Sequence, residues 1–352
     1  MIKNNEHIIN SKEQARYALS ILDQLPASVS RTVFVVAEDN IMVGSLTDGD
    51  IRRGLLAGLE ISDSVEKFMN TSFRTLSKNL DNVDLIRSLR NADINLVPML
   101  DEKSRITEIV DLRKTKTILP VSALLMAGGR GERLRPFTYT VPKSMLQIGE
   151  KPILEHNIDR LISYGITNIY ISVKYLKEQI MSYFGDGSAK GVNISYIEEE
   201  MPLGTLGALS LIDHCNHDDM IVMNSDILTN IDFEDFFNFY KREEASMALA
   251  SIPYKVNVPY AVLDVKESVV SSFIEKPTYT YYSNGGIYIL RYELKQLLKK
   301  DTFFNATDLM DKIIVENDHK LVHYPLLGYW LDIGKPQDFM KAQEDIKHLH
   351  LL

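Results

Sequence analysis

The chain has 352 residues, 45% hydrophobic and 25% charged, with a formal net charge of −9 and a pI near 5.5. That balance excludes a general nucleic-acid binder, which needs a basic surface, and turns individual lysines and arginines into local signals. Cys215 stands alone, which excludes a disulfide framework and a cysteine-based metal site. The N-terminal MIKNNEHIIN lacks an apolar core of signal-peptide length, and no run approaches the ~18 apolar residues of a membrane helix. The expectation is a cytoplasmic chain without a membrane span. At about 100–200 residues per domain, two domains are expected.

Residues 1–118 form short alternating units. Arg31–Val36 is a β-rich run ended by a turn at Glu38–Asn40, Met42–Leu46 is a second short strand, and Asp48 caps a helix through Leu56. The order recurs: Asp81–Ala92 has helical apolar spacing, and Leu96–Leu100 and Ile106–Val110 are strand-like. Such internal similarity implies two copies of one small motif. The segment Gly44-Ser-Leu-Thr47-Asp-Gly-Asp50-Ile resembles a CBS motif, and the whole part resembles a CBS pair. The resemblance implies that Thr47 and Asp50 hold the ribose of a regulatory adenine nucleotide, and that such pairs associate into a homo-oligomer. The alternative is that Asp48 or Asp50 only caps a helix. In the second copy Val110 and Arg113 occupy the matching positions.

From Val121 strands alternate with longer helices. Ser122–Met126, Asn168–Val173, Asn193–Ile197 and Met220–Met223 are strand-like; Ile153–Tyr164, Leu176–Phe184 and Leu206–His214 have helical spacing. The pattern predicts an α/β domain over 121–352 with a mostly parallel sheet, in which ligands bind at the carboxyl ends of strands. Gln337–Leu352 is a helix candidate without a recognisable partner.

The chemistry-bearing segments follow those strands. Met126-Ala127-Gly128-Gly129-Arg130-Gly131-Glu132-Arg133-Leu134 comes directly after the first. Its glycines let backbone amides approach a triphosphate, and Arg133 supplies a fixed cation. Leu134 occupies the third glycine position of a dinucleotide fingerprint, and no Gly-Lys-Ser/Thr completes a P-loop. Pro142-Lys143 adds a second cation. Asp226 ends a buried strand and Asp332 sits in Gly-Tyr-Trp-Leu-Asp-Ile-Gly; two such carboxylates can hold Mg²⁺. Glu275-Lys276-Pro277, alone, is an ordinary solvated turn, and Glu198-Glu199-Glu200 an ordinary acidic run.

In combination the glycine loop, Pro142-Lys143 and Lys151-Pro152-Ile-Leu resemble the signature of sugar-1-phosphate nucleotidyltransferases, over roughly Val121 to Phe339. The resemblance implies a Rossmann-like sheet and a reaction joining a nucleoside triphosphate to a sugar 1-phosphate with release of pyrophosphate. It implies catalytic roles for Arg133, Lys143 and Lys276, and Mg²⁺ on Asp226 and Asp332. Nucleotide contacts fall on Ala127, Gly128, Gly129, Gly131, Glu199, Pro202, Gly204, Thr205 and Asp226, and sugar contacts on Glu275, Asn284 and Ala261. Glu132 replaces a usual threonine, Gln147 a frequent proline and Ala261 a frequent glycine. A carboxylate at Glu199 accepts from the N1–H and exocyclic amine of guanine, which favours GTP, with Glu200 as its competitor for that role; uridylyl- and thymidylyltransferases often present Gln there.

The domain order resembles bacterial glucosamine-1-phosphate guanylyltransferases of legionaminic-acid biosynthesis, with mannose 1-phosphate and a heptose 1-phosphate as further acceptors. The alternatives are a thymidylyl- or uridylyltransferase, and a catalytically idle nucleotide sensor, against which Arg133, Lys143, Asp226 and Asp332 speak together.

Overall fold

The computed structural model describes residues 4–26, 30–77, 82–316, 318–349 and 351. The chain divides into two compact units, one of residues 1–119 with 163–165 and one of 120–162 with 166–352. Among the described residues no helix is long and apolar enough to cross a membrane.

The first unit holds two three-stranded sheets built alike. Ile8–Asn10 runs parallel to Thr32–Val36, which pairs antiparallel with Met42–Thr47; Leu76–Ser77, Leu96–Leu100 and Ile106–Asp111 repeat that order and those directions. Helices Ala15–Gln24 and Asp48–Leu56 belong to the first copy, and Val83–Asn91 to the second. Asp81, where helical spacing begins in the sequence, lies outside the described residues. Phe34 and Met42 from one sheet pack with Leu96 and Ile109 from the other, all buried. The helix after Met42–Thr47 is capped one residue earlier than expected. Thr47 Oγ1 accepts from the Asp50 amide at 3.3 Å, and Asp50 Oδ2 accepts from the Thr47 amide at 2.9 Å. This reciprocal box satisfies two orphan donors, and Asp48 is the first helical residue instead of the cap.

The second unit is built on a seven-stranded sheet ordered Asn193–Glu198, Asn168–Val173, Val121–Met126, Asp219–Asn224, Thr278–Arg291, Met247–Asn257, Leu321–Pro325. Thr278–Arg291 alone runs against its neighbours, so the α/β, mostly parallel expectation is met. Val121–Met126 and Asp219–Asn224 are near-continuous apolar runs because both faces of a central strand are covered. Their register aligns Met126 with Asn224, so the two loops that follow emerge side by side.

Leu206–His214 differs from expectation. Only a 3₁₀ segment, Gly207–Leu211, forms there. The amides of Leu206 and Gly207 both donate to the Phe304 carbonyl at 3.0 Å, which ties the start of the segment to a distant part of the chain, and Gly207 lowers its helical propensity. The C-terminal helix, Pro336–Asp345, finds a partner in its own unit. Ala342 and Leu351 share a buried cluster with Leu134 and Ile153, and the Phe137 and Phe339 rings lie 5.3 Å apart. The cluster therefore fastens the chain's end under the segment that follows the glycine loop.

Met247–Asn257 and Thr278–Arg291 outrun the sheet. From Ile252↔Ser283 to Asn257↔Thr278 they pair only with each other, and beyond them Val262–Lys266 pairs with Val269–Ile274 as a hairpin. Every residue of Val269–Ile274 is exposed.

Candidate active site

Strand ends position the first groups. Ala127 leaves Val121–Met126 with its amide donating to the Ser172 carbonyl at 2.9 Å, and the chain turns through Gly128–Gly131. Gly131 has φ +61°, and a Cβ there would sit 3.0 Å from Lys143 Cβ. Glycine is needed at that point because only it tolerates both the left-handed backbone and the lysine beside it. The Gly131 carbonyl accepts from Thr138 Oγ1 at 2.8 Å. Gly129 and Arg130 are exposed, leaving their amides accessible to an anion.

Lys143 lies between two carboxylates. Its Nζ donates to Asp226 Oδ2 and stands 3.8 Å from Asp332 Oδ1. A short antiparallel ladder makes the meeting possible: Ile227–Thr229 pairs with Trp330–Asp332, aligning Ile227 with Asp332, and the Ile333 amide donates to the Asp226 carbonyl at 3.0 Å. Asp226 Oδ1 and Asp332 Oδ1 are buried without a hydrogen-bond partner. Burial raises the Asp332 carboxyl above its usual range, Asp226 adds to this, and Lys143 and Arg133 offset it only in part. Arg133 approaches the same point, since a Cβ on Gly334 would lie 3.5 Å from its guanidinium and 3.6 Å from Asp332. Two orphaned acidic oxygens facing two cations make an oxygen-donor pair suited to a hard divalent cation. Among the described residues no group of three or more acidic, histidine or cysteine side chains could hold a metal, so further ligands would come from phosphate oxygens or water.

The acidic run after Asn193–Glu198 sits beside the glycine loop. A Cβ on Gly128 would lie 3.1 Å from Glu199 Oε1. Glu199 is 9% exposed; its Oε1 accepts from Ser172 Oγ, and its Oε2 accepts from the Leu203 amide at 3.0 Å. The carboxylate thus also braces its own loop. Glu200 and Pro202 are exposed, and Gly204 holds φ +77° with its Cβ position 2.7 Å from the Phe304 carbonyl. Lys174 Nζ donates to the Glu199 and Glu200 carbonyls. Lys174 and Ser172 gave no sequence signal, because a lysine or serine at a strand end is ordinary.

A cavity of about 340 Å³ opens next to Asp332, lined by Thr205, Asn224, Asn284, Asn305, Thr307 and Trp330 among others. Asn284 Oδ1 accepts from the Gly286 amide at 2.9 Å and from Tyr288 at 3.0 Å, which aims its amide nitrogen elsewhere as a donor. Trp330 Nε1 donates to the Gly285 carbonyl at 2.8 Å. Asn305 and Thr307 open the helix Ala306–Glu316, a stretch without a recognisable motif. Thr205 ties the acidic loop to that helix, its Oγ1 accepting from the Ala306 amide at 3.0 Å.

Of the expected sugar contacts Asn284 lines the cavity; Ala261 and Glu275, with the expected catalytic Lys276, flank the hairpin. All three are exposed and do not line the cavity. In the first unit, Thr47 and Asp50 spend their polar atoms on the capping box, and Asp50 Oδ1 also accepts from Arg53 at 2.5 Å. At the matching point of the second copy, Asp111 binds Arg113 through both oxygens, at 2.9 and 2.7 Å.

Residues 122–348 match the family model described as Nucleotidyl transferase, and the chain belongs to that family. The Schizosaccharomyces pombe mannose-1-phosphate guanyltransferase is 31% identical over 62% of this chain and 62% of its own length. The Mycobacterium tuberculosis mannose-1-phosphate guanylyltransferase is 30% identical over 64% of each. The chain thus spans under two thirds of these relatives. Among solved structures, HddC from Yersinia pseudotuberculosis aligns with a TM-score of 0.51 and 26% identity, over 64% of this chain and 99% of that one. A Bacillus anthracis structure, provisionally assigned as a glucose-1-phosphate thymidylyltransferase, shares the fold at a TM-score of 0.54 and 22% identity, over 65% of this chain and 96% of that one.

Proposed function

We propose that this chain transfers a nucleotidyl group from GTP to a sugar 1-phosphate, giving a nucleoside-diphosphate sugar and pyrophosphate. The observation that carries the proposal is Lys143 held between Asp226 and Asp332, with an orphaned oxygen on each carboxylate, beside the glycine loop. A phosphate oxygen of the sugar 1-phosphate attacks the α-phosphorus in line; that bond forms as the α–β bridging P–O bond breaks. The attacking group is already anionic, so no protein nucleophile is needed, and catalysis reduces to positioning and charge neutralisation. The amides of Gly128–Gly131 receive the triphosphate, and Arg133 and Lys143 take up the charge leaving on pyrophosphate. Asp226 and Asp332 would hold Mg²⁺, which neutralises phosphate charge when bound.

Glu199 supports guanine. A buried carboxylate next to Gly128 presents acceptors to the two donors on one guanine edge, which uracil and thymine lack. The guanylyltransferase relatives agree with that choice. Asn284, with Asn305 and Thr307 across the cavity, would meet sugar hydroxyls; mannose 1-phosphate and glucosamine 1-phosphate are the acceptors to try first. The test is pyrophosphate release from GTP, UTP, dTTP and ATP, each with a panel of sugar 1-phosphates. Fastest release with GTP supports the assignment; fastest release with UTP or dTTP sinks the guanine part, and none with any pair sinks the whole.

A further inference from the structure

The acidic loop is tied to one strand end more firmly than a turn requires. Where Asn168–Val173 finishes, Ser172 Oγ donates to Glu199 Oε1, and the Val173 carbonyl accepts from the Glu199 amide at 3.0 Å. Lys174 Nζ follows, donating to the Glu199 carbonyl at 3.2 Å and to the Glu200 carbonyl. With the Leu203 amide on Oε2, Glu199 is fixed along its backbone and at both carboxylate oxygens. The glycine loop starts from the same place, since the Ala127 amide donates to the Ser172 carbonyl at 2.9 Å.

A lysine is more than those two carbonyls need. Glu200 is exposed, and water can serve an exposed carbonyl. An ammonium carries three N–H donors and no acceptor, so two carbonyls leave one donor over. Among the described residues no carboxylate pairs with Lys174, whereas Lys177 is paired with Glu198. Gly128 brings the triphosphate side to the same point. Its backbone is not left-handed, so no backbone strain calls for glycine there. A side chain would instead meet Glu199 Oε1 at 3.1 Å and Lys174 Cβ at 3.5 Å. The bare edge of the loop, the carboxylate and the lysine stem therefore converge.

Guanine presents three polar groups in a row: the exocyclic amine and N1–H, both donors, and then O6, an acceptor. A carboxylate has about four acceptor sites. Ser172 and Leu203 each use one, on different oxygens, so each oxygen keeps an acceptor for a guanine donor. The carboxylate has nothing to offer O6.

We propose that Lys174 completes the reading of guanine by donating its remaining N–H to O6, which makes it a specificity-determining residue beside Glu199. Adenine reverses the pattern, with an amine at position 6 and a bare N1, and would set a donor against the ammonium. The assignment rests on the guanine reading proposed above and on nothing about the sugar.

6-Thio-GTP tests it, because only the 6-oxygen is changed, to a sulfur that accepts hydrogen bonds poorly. Wild type and Lys174→Met, which keeps an apolar stem, are titrated with GTP and with 6-thio-GTP by calorimetry in the presence of Mg²⁺ and without sugar. Wild type is expected to bind GTP at least about tenfold more tightly than the analogue, in the range of a hydrogen bond to a charged group. In Lys174→Met the affinity for GTP should fall by a similar factor while that for the analogue stays nearly level, so the two converge. A lysine that only holds the loop would weaken both equally and preserve the ratio. That result overturns the proposal and leaves the guanine assignment standing, as does a wild type that binds both nucleotides alike. The wild-type comparison needs no variant, so it decides the matter even if Lys174→Met does not fold. Tighter binding of UTP or dTTP than of GTP by wild type would sink the guanine assignment, and the role of Lys174 with it.

Discussion

The buried centre and the projecting arm are made of the same secondary structure and solve opposite problems. Around Lys143 the chain brings charges from distant segments together at a largely covered point. The Asp226 and Lys143 side chains are 19% and 14% exposed, and the ladder from Ile227 to Thr229 fixes Asp332 against them. Along Val262–Ile274 the chain does the reverse. It extends a ribbon of apolar side chains into solvent with hydrogen bonds only between its own two strands. The first region is a finished piece of machinery. The second leaves its apolar side chains exposed.

The contrast can be broken most forcefully at the centre. Lys143→Ala removes the cation between two carboxylates, so turnover should fall on the order of 10²–10³, measured as steady-state pyrophosphate release. Loss of that cation also leaves Asp226 and Asp332 repelling each other, and removes one of the charges that hold the Asp332 carboxyl down. Near-wild-type turnover would remove Lys143 from the mechanism.

A stability comparison comes next. Phe236 is fully buried in the second unit and Phe273 is 64% exposed on the arm. Phe236→Ala should cost about 3–5 kcal/mol through the cavity it leaves. In the isolated chain, Phe273→Ala should move the urea midpoint little, within about 0.5 kcal/mol. An equal effect at both positions would mean that the arm is packed against its own unit.

Base selection is a smaller lever. Glu199→Gln keeps an acceptor for Ser172 or Leu203 but loses the charge, so the GTP preference over UTP should shrink by about 10–100-fold, the worth of a charged hydrogen bond. The ratio of kcat/KM values reads it, and an unchanged ratio would make Glu199 a brace alone.

The smallest effect is electrostatic. Burial pushes the Glu155 carboxyl up, but hydrogen bonds from Lys190 and Tyr183 more than offset this, and it sits below its ordinary value. A depressed carboxyl adds stability above its unfolded pKa and loses it as pH falls through the folded value. Lys190→Met should therefore move the acid-unfolding midpoint toward neutral pH. An unmoved midpoint would show that the pair contributes nothing.

The sequence carried much of the central sheet because buried parallel strands leave unmistakable apolar runs. Asn168–Val173 is found at its expected bounds, and Val121–Met126 and Asp219–Asn224 within a residue at either end. The acidic and basic groups at strand ends were legible too, since the sheet type places ligands there. Elsewhere the chain concealed its choices. Gly207–Leu211 is 3₁₀, and a distant carbonyl, that of Phe304, takes the two amides at its start; no local pattern reports that contact. Asn305 and Thr307 enter the site through the same long-range contact. Glu275 and Lys276 sit in a motif whose neighbours imply a sugar site; both are exposed and neither lines the cavity. Local pattern names an element; only tertiary hydrogen bonding says where its ends go.

The most direct measurement is pyrophosphate release by wild type and Asp226→Asn under saturating GTP and the sugar 1-phosphate that wild type uses best. The substitution keeps the shape of the centre and removes one negative charge from it. The account predicts a loss of at least about 100-fold in kcat with the thermal midpoint held. Equal turnover by the two proteins would contradict it.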